Sequence, residues 1–248
     1  MPVSGQAARL AETLRLRYQP IVRLEDGKLS HVEVLARVLS QDGQILGPES
    51  LVAAMANPEL ALSLTRAIMH RALSEYQAQG LSAHQLPMAF NLPLNVLVHP
   101  GVVHGIETLR ETHSLTADLL RFELTETQPV YDIRLAEESI KALRDAGYKL
   151  ALDDIVPATP FLPALMKSAV GAVKLDRSVV VDATPDARNF ILRITRLAAS
   201  RLQDIIAEGI ETVPQLARIR ELGVTHGQGY LFSRPLVAEN LAIWLSRN

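Results

Sequence analysis

The feature that most constrains this chain is a regular alternation, in which short apolar runs of strand type are followed by stretches of helical spacing along its 248 residues. Strand-like runs occupy Tyr18–Leu24, His31–Leu39, Pro87–Leu92, Leu119–Leu124, Lys149–Asp154, Ala172–Leu175, Asp204–Glu208 and Thr225–Phe232. Between them, apolar residues recur every three or four positions, most clearly over Pro58–Gln79, Ile133–Ala146, Ala187–Arg201 and Val213–Leu222. Gly80, Gly147 and Gly223 stand where helices of this kind should stop. An amphipathic helix over Ala7–Leu16 is expected to precede the first run. The first two runs flank Glu25-Asp26-Gly27-Lys28, a turn-forming stretch that predicts an antiparallel hairpin. Eight strands with intervening helices and one strand reversed by that hairpin predict a closed α/β barrel of TIM-like (β/α)8 type, as a single domain over residues 1–248.

Charge and composition narrow the partners. A net charge of −2 and a pI near 6.4 supply no broad basic field, which argues against long nucleic acid and against adhesion to an anionic membrane. The absence of cysteine removes disulfides and thiolate metal sites. No run reaches the ~20 apolar residues of a spanning helix, so a cytoplasmic protein is expected.

The chemistry gathers where the strands end. Glu33, Asn91, Glu123, Asp153, Asp154, Lys174, Glu208 and Gln228 each close an apolar run. In a barrel the carboxyl ends of parallel strands share one face, so residues distant in sequence become neighbours there. Glu33 can join them because its strand follows the hairpin in the parallel sense. Carboxylates packed together repel, and each takes up a proton unless positive charge lies between them. Oxygen ligands without cysteine or histidine favour Mg²⁺ or Mn²⁺ over zinc or copper. The adjacent Asp153-Asp154 pair suits a bridged two-metal arrangement, with Lys174 as a point charge for a developing phosphoryl negative charge. Taken singly, each residue has a plainer role: Asp-Asp as a helix cap or turn, Lys174 as an ion-pair partner, Gln228-Gly229 as an ordinary turn. The joint placement at strand ends, with both signs of charge, is what favours a site.

In order and approximate spacing, Tyr18-Gln19-Pro20-Ile21-Val22, Glu33-Val34-Leu35-Ala36-Arg37, Phe90-Asn91-Leu92, Glu123-Leu124-Thr125-Glu126, Leu152-Asp153-Asp154, Lys174-Leu175-Asp176-Arg177, Ala207-Glu208-Gly209-Ile210-Glu211-Thr212 and the segment from Gln228 to Pro235 follow one known pattern. The chain resembles the EAL domain of bacterial cyclic di-GMP phosphodiesterases over essentially its whole length. The resemblance implies a barrel with its first strand antiparallel, and hydrolysis of one phosphodiester of 3′,5′-cyclic di-GMP to linear pGpG with Mg²⁺ or Mn²⁺, inhibited by calcium. It implies Glu33, Asn91, Glu123 and Asp153 as ligands of a first cation, and Asp153, Asp154 and Glu208 as ligands of a second. By the same resemblance Lys174 positions and polarises the attacking water, Gln228 is a supporting contact, and Glu126 and Glu211 are supporting carboxylates. Gln19, Leu35 and Arg37 match positions that hold the dinucleotide. A homodimer is the family expectation.

One departure bears on activity. Where active members carry Phe-Gly-Thr-Gly after the acidic pair, this chain has Ile155-Val156-Pro157-Ala158-Thr159-Pro160. Without glycine, and with two prolines that fix their own φ and restrict their predecessors, this loop must follow a different path. Residues Leu51–Leu60, at the edge of the nucleotide pocket, also match poorly. Three functional classes follow: an active phosphodiesterase, a cyclic di-GMP receptor with little turnover, and a protein-interaction module that has lost the nucleotide.

Overall fold

The computed structural model describes residues 9–125, 133–160 and 162–247. Its centre is a closed barrel of eight strands: β1 (Leu14–Arg23), β2 (Leu29–Leu39), β4 (Met88–Pro93), β5 (Leu120–Thr125), β6 (Lys149–Ile155), β7 (Ala172–Leu175), β8 (Asp204–Ala207) and β9 (His226–Gln228). A two-residue strand, β3 (Ile45–Leu46), folds back on the end of β2 outside the barrel. Strand β1 runs antiparallel to both of its neighbours, β2 and β9, and β2 is parallel to β4, so the expected reversal of the first strand is borne out. Gly27 makes the reversal with φ near +72°, donating its N–H to the Arg23 carbonyl, while Arg23 donates to the Lys28 carbonyl.

Helices surround this barrel: α1 (Glu49–Met55), α2 (Pro58–Ala78), α3 (Val102–Thr112), α4 (Ile133–Asp145), α5 (Pro185–Ala199), α6 (Val213–Glu221) and α7 (Ala238–Leu245). The four clearest sequence-predicted helices are α2, α4, α5 and α6 within two residues at each end. Their starts are chemically marked. Asn57 and Thr184 cap α2 and α5 with side-chain acceptors, each followed by proline at the first helical position. Thr212 and Gln215 form a reciprocal capping box on α6, and Gln215 Oε1 also accepts from the Glu211 N–H, which fixes the loop between β8 and α6.

Three expectations are corrected. The first helix ends at residue 13 rather than at Leu16, because Leu14–Leu16 already pair with Ala36–Val38 in the β1–β2 ladder, and positions 7 and 8 of the expected helix lie outside the described residues. The last strand stops at Gln228 rather than Phe232, since Gly229 turns the chain across Ile210; a Cβ there would lie 2.1 Å from the Ile210 carbonyl oxygen. Helices α1, α3 and α7 and strand β3 were not anticipated.

Along each barrel strand, residues alternate between the lumen and the helical layer. Phe90 and Phe122, both buried, face the helices with ring centroids 6.3 Å apart, and Phe122 meets the Tyr148 ring edge to face with centroids 5.4 Å apart. Truncating a buried phenylalanine of this kind costs about 3–5 kcal/mol. The neighbours of these rings, Asn91 and Glu123, consequently point inward.

Candidate active site

The parallel strands place their final residues at one mouth of the barrel, and registers decide which meet. Gln19 pairs across from Glu33, Asn91 from Glu123, and Ile21 from Gln228. Lys174 on β7 sits at the centre with its side chain 1% exposed. Its Nζ lies 2.6 Å from Glu208 Oε1, 2.8 Å from Glu123 Oε2, 2.8 Å from Asp153 Oδ1 and 3.5 Å from Glu33 Oε2. The structure therefore brings together Glu33, Glu123, Asp153, Glu208 and Lys174, five of the residues singled out by sequence.

An ammonium has three protons, and four carboxylates converge on this one. Asp153 Oδ1, although close to Nζ, has no aligned hydrogen bond, and Glu123 Oε1 is buried without a partner. Negative charge at this mouth thus exceeds what Lys174 can serve. Burial pushes the Glu123 carboxyl well above its usual range, against the pull of Lys174 and with added repulsion from Glu33 and Asp153. Burial likewise lifts Glu208 to about 8, opposed by Lys174 and assisted by Asp153. Burial would also raise Glu33, but Lys174 and hydrogen bonds from Gln228 and Asn91 outweigh it and hold this carboxylate low. Lys174 itself stays protonated: burial disfavours its charge, and Asp153, Glu123, Glu208 and Glu33 more than restore it.

Amides fasten the cluster. Gln228 Nε2 donates to Glu33 Oε2 at 2.7 Å and to Gln19 Oε1 at 3.2 Å, and Asn91 Nδ2 donates to Glu33 Oε1 at 3.1 Å. Gln19 Nε2 continues the chain to the Ser233 carbonyl. Glu33 is the hub, holding amides from two other strands.

The adjacent acids are arranged by a backbone irregularity. In a regular strand, consecutive side chains point to opposite faces, so Asp153 and Asp154 could not both reach one site. The β6–β7 register shifts between Leu152 and Ile155, and Asp154 adopts φ near +53°. This bulge swings Asp154 toward the same mouth. Asp153, Asp154 and Glu208 then offer oxygens within 4.8 Å of one another. Burial and the neighbouring Asp153 raise the Asp154 carboxyl to about 6. Beyond it the altered loop closes on itself, with the Val156 N–H donating to Thr159 Oγ1 and the Thr159 N–H to the Val156 carbonyl.

A cleft of about 600 Å³ covers the cluster. Gln19, Leu35 and Arg37 line it, as do Asn91, Asp154 and Glu211. Arg37, half-buried, spends one N–H on the Ala36 carbonyl and has no carboxylate in ion-pair range among the described residues. Glu211 stands at the edge, ion-paired with Arg177 at 2.8 Å. Glu126 lies outside the described residues. Sequence reasoning placed Leu51–Leu60 at the pocket edge but did not foresee the apolar wall that Leu51, Val52 and Met55 of α1 form there with the Tyr230 ring, over which Arg234 lies at 4.3 Å. The spacing of the three apolar residues on α1 was the available signal.

A closed mixed barrel with an acidic, lysine-centred carboxyl mouth, whose oxygen donors could hold a cation, defines the class of this domain. The chain belongs to the EAL domain family, whose sequence profile matches residues 5–235. It is 31% identical over 228 residues to the cyclic di-GMP phosphodiesterase NbdA of Pseudomonas aeruginosa, covering 91% of this chain and 29% of that protein. It is 31% identical over 234 residues to the probable cyclic di-GMP phosphodiesterase PdeB of Escherichia coli, covering 94% of this chain and 45% of that protein. The chain thus spans less than half the length of either relative. Among solved structures, the EAL enzyme Bd1971 in its cAMP- and cyclic-di-GMP-bound form superposes with a TM-score of 0.87 at 26% identity, covering 98% of this chain and 67% of that one. No helix among the described residues is long and apolar enough to cross a membrane.

Proposed function

We propose that this chain binds cyclic di-GMP in the cleft and hydrolyses one of its phosphodiesters to linear pGpG, with Mg²⁺ or Mn²⁺ as cofactor. The observation that carries this reading is the convergence of four carboxylates on one buried ammonium at the barrel mouth, leaving acceptor oxygens without partners. The residues fit a hard divalent cation: the donors are oxygens, and Glu123 Oε1 and Gln228 Oε1 are buried and unpaired. Glu33, Asn91, Glu123 and Asp153 would hold one ion, and Asp153, Asp154 and Glu208 a second. When bound, such ions supply Lewis-acid polarisation of the phosphoryl group.

The chain's own residues do the rest of the work. Gln19, Leu35 and Arg37 hold the dinucleotide, the Arg37 fork facing phosphate oxygens. Lys174 orients the water and stabilises negative charge growing at phosphorus. Glu208, beside Lys174 at 2.6 Å, is placed to accept the proton of that water. Water forms the new P–O bond, the P–O3′ bond breaks, and the departing 3′ oxygen takes a proton. Gln228 steadies Glu33, and Glu211 fixes Arg177 at the rim. Glu126 is assigned a supporting role on the family resemblance. The test is incubation with cyclic di-GMP and Mn²⁺: appearance of pGpG supports the reading, and its absence with saturating metal contradicts it.

A second reading, a receptor with little turnover, is favoured by the loop after β6, where Val156, Pro157 and Ala158 replace glycine-bearing residues. Tight binding in calcium without pGpG in Mn²⁺ would select it. Grafting Phe-Gly-Thr-Gly onto Ile155–Ala158 should then raise the rate.

A further inference from the structure

The opposite mouth of the barrel opens into a second cavity, of about 860 Å³. Parallel strands begin here, so His31 near the start of β2, Arg121 on β5, Lys149 on β6 and His226 on β9 share its wall. The charge balance is the reverse of the acidic mouth: five arginines and lysines against two carboxylates, Glu123 and Asp204. Glu123 is already engaged by Lys174.

Arg121 is the telling residue. It is half-buried, its Nη1 donates to His31 Nδ1 at 3.3 Å, and its Nε is buried with no acceptor. Because guanidinium only donates, the His31 nitrogen facing it is an acceptor and supplies no countercharge. No carboxylate lies in ion-pair range of Arg121, Arg144, Lys149 or Arg201 among the described residues. Asp204 and Glu123 attract Arg121 only from beyond ion-pair range, so a half-buried guanidinium with an unused N–H is left, at a cost, without a contacting counterion, and an anion from solution would relieve that cost. The guanidinium fork matches a phosphate in bidentate fashion, while Lys149, Arg144 and Arg201 add charge at the exposed rim. The volume falls in the range of about 300–1,000 Å³ typical of small-molecule sites.

We propose that this basal cavity binds a small phosphate-bearing anion carrying two or more negative charges, at a site separate from the acidic mouth. The site stands independently of the phosphodiesterase reading, since none of its basic groups serves that chemistry.

The experiment is calorimetric titration of inorganic pyrophosphate into metal-free protein in a buffer without phosphate or chelator, with histidine resonances followed in parallel. Saturable one-to-one binding is expected, shifting the His31 and His226 signals. Arg121→Gln should weaken it about tenfold or more, and so should the double variant Lys149→Ala/Arg201→Ala, whose exposed positions leave the fold intact. Should Arg121→Gln fail to fold, the double variant decides alone. No saturable binding, wild-type affinity in the folded variants, or citrate binding as tightly as pyrophosphate would each overturn the proposal.

Discussion

Replacing Lys174 by methionine, which keeps most of the side-chain length and removes the charge, separates electrostatics from packing at the acidic mouth. In the wild type, Nζ is within 3.5 Å of four carboxylates, and the side chain is 1% exposed, so solvent screens these contacts little. Removing one partner of a buried ion pair costs about 3–5 kcal/mol, because the remaining charge is left uncompensated. Part of that loss is recoverable by protonation. Without Lys174, the groups already raised by burial, Glu123, Glu208 and Asp154, titrate higher still. A carboxyl whose folded pKa lies above its unfolded value adds stability below the unfolded pKa and loses it as pH rises through the folded one. The variant should therefore fall short of wild type by about 3–5 kcal/mol near pH 8 and by distinctly less near pH 6, because Asp154, at about 6 in the wild type and higher in the variant, is ionised at pH 8 only where Lys174 supports it. Millimolar Mn²⁺ should narrow the gap near pH 8 by supplying the missing positive charge. Urea denaturation followed by circular dichroism, at both pH values with and without Mn²⁺, measures all three effects. An equal deficit at both pH values with no rescue by metal would refute the electrostatic account, and so would a loss under about 1 kcal/mol near pH 8.

Other residues make separate predictions. Glu33→Ala removes a proposed ligand and frees Asn91 and Gln228, so pGpG formation should drop at least about a hundredfold; unchanged turnover would sink the assignment of Glu33. Cation affinity of the apo protein should rise as pH goes from below 6 to above 8, with protons released on binding, because Asp154 at about 6 and Glu208 at about 8 must ionise to coordinate; titration calorimetry in buffers of different ionisation enthalpy reads the proton count, and a count of zero throughout contradicts the assignment. Leu202 is 95% exposed with φ near +58°, a conformation that disfavours a Cβ, so Leu202→Gly should raise stability by about 1 kcal/mol and Tm by about 2–4 °C; a lower Tm would show that the leucine makes contacts worth more than its strain.

Much of the fold and site was legible because each site residue interrupts an apolar run at the carboxyl end of a strand, and a closed barrel leaves those ends one place to meet. The hairpin was legible because Asp26-Gly27 supplies both turn chemistry and a positive φ. Length hid β3, since a two-residue strand carries no period. Helix α3 had an apolar pattern at Val102, Val103, Ile106 and Leu109 that could have been read; α1, two turns long, offered only the spacing of Leu51, Val52 and Met55. Side-chain placement was the deeper gap. Sequence places Lys174 at a strand end, but its reach into the carboxylates depends on lumen-facing alternation and on where Glu33 and Glu208 are held. The Asp153-Asp154 pair reads as bridging ligands, yet both reach one mouth only through a bulge with Asp154 at positive φ, which aspartate tolerates better than most residues.

The most direct test of a cation-binding acidic mouth is anomalous scattering from crystals soaked in Mn²⁺ with cyclic di-GMP bound in the cleft. Manganese peaks within coordinating distance of Glu33, Asn91, Glu123 and Asp153, with Asp154 and Glu208 around a second, are the predicted result. Crystals with the dinucleotide in place, no peak at that mouth and the carboxylates still closed on Lys174 would contradict it.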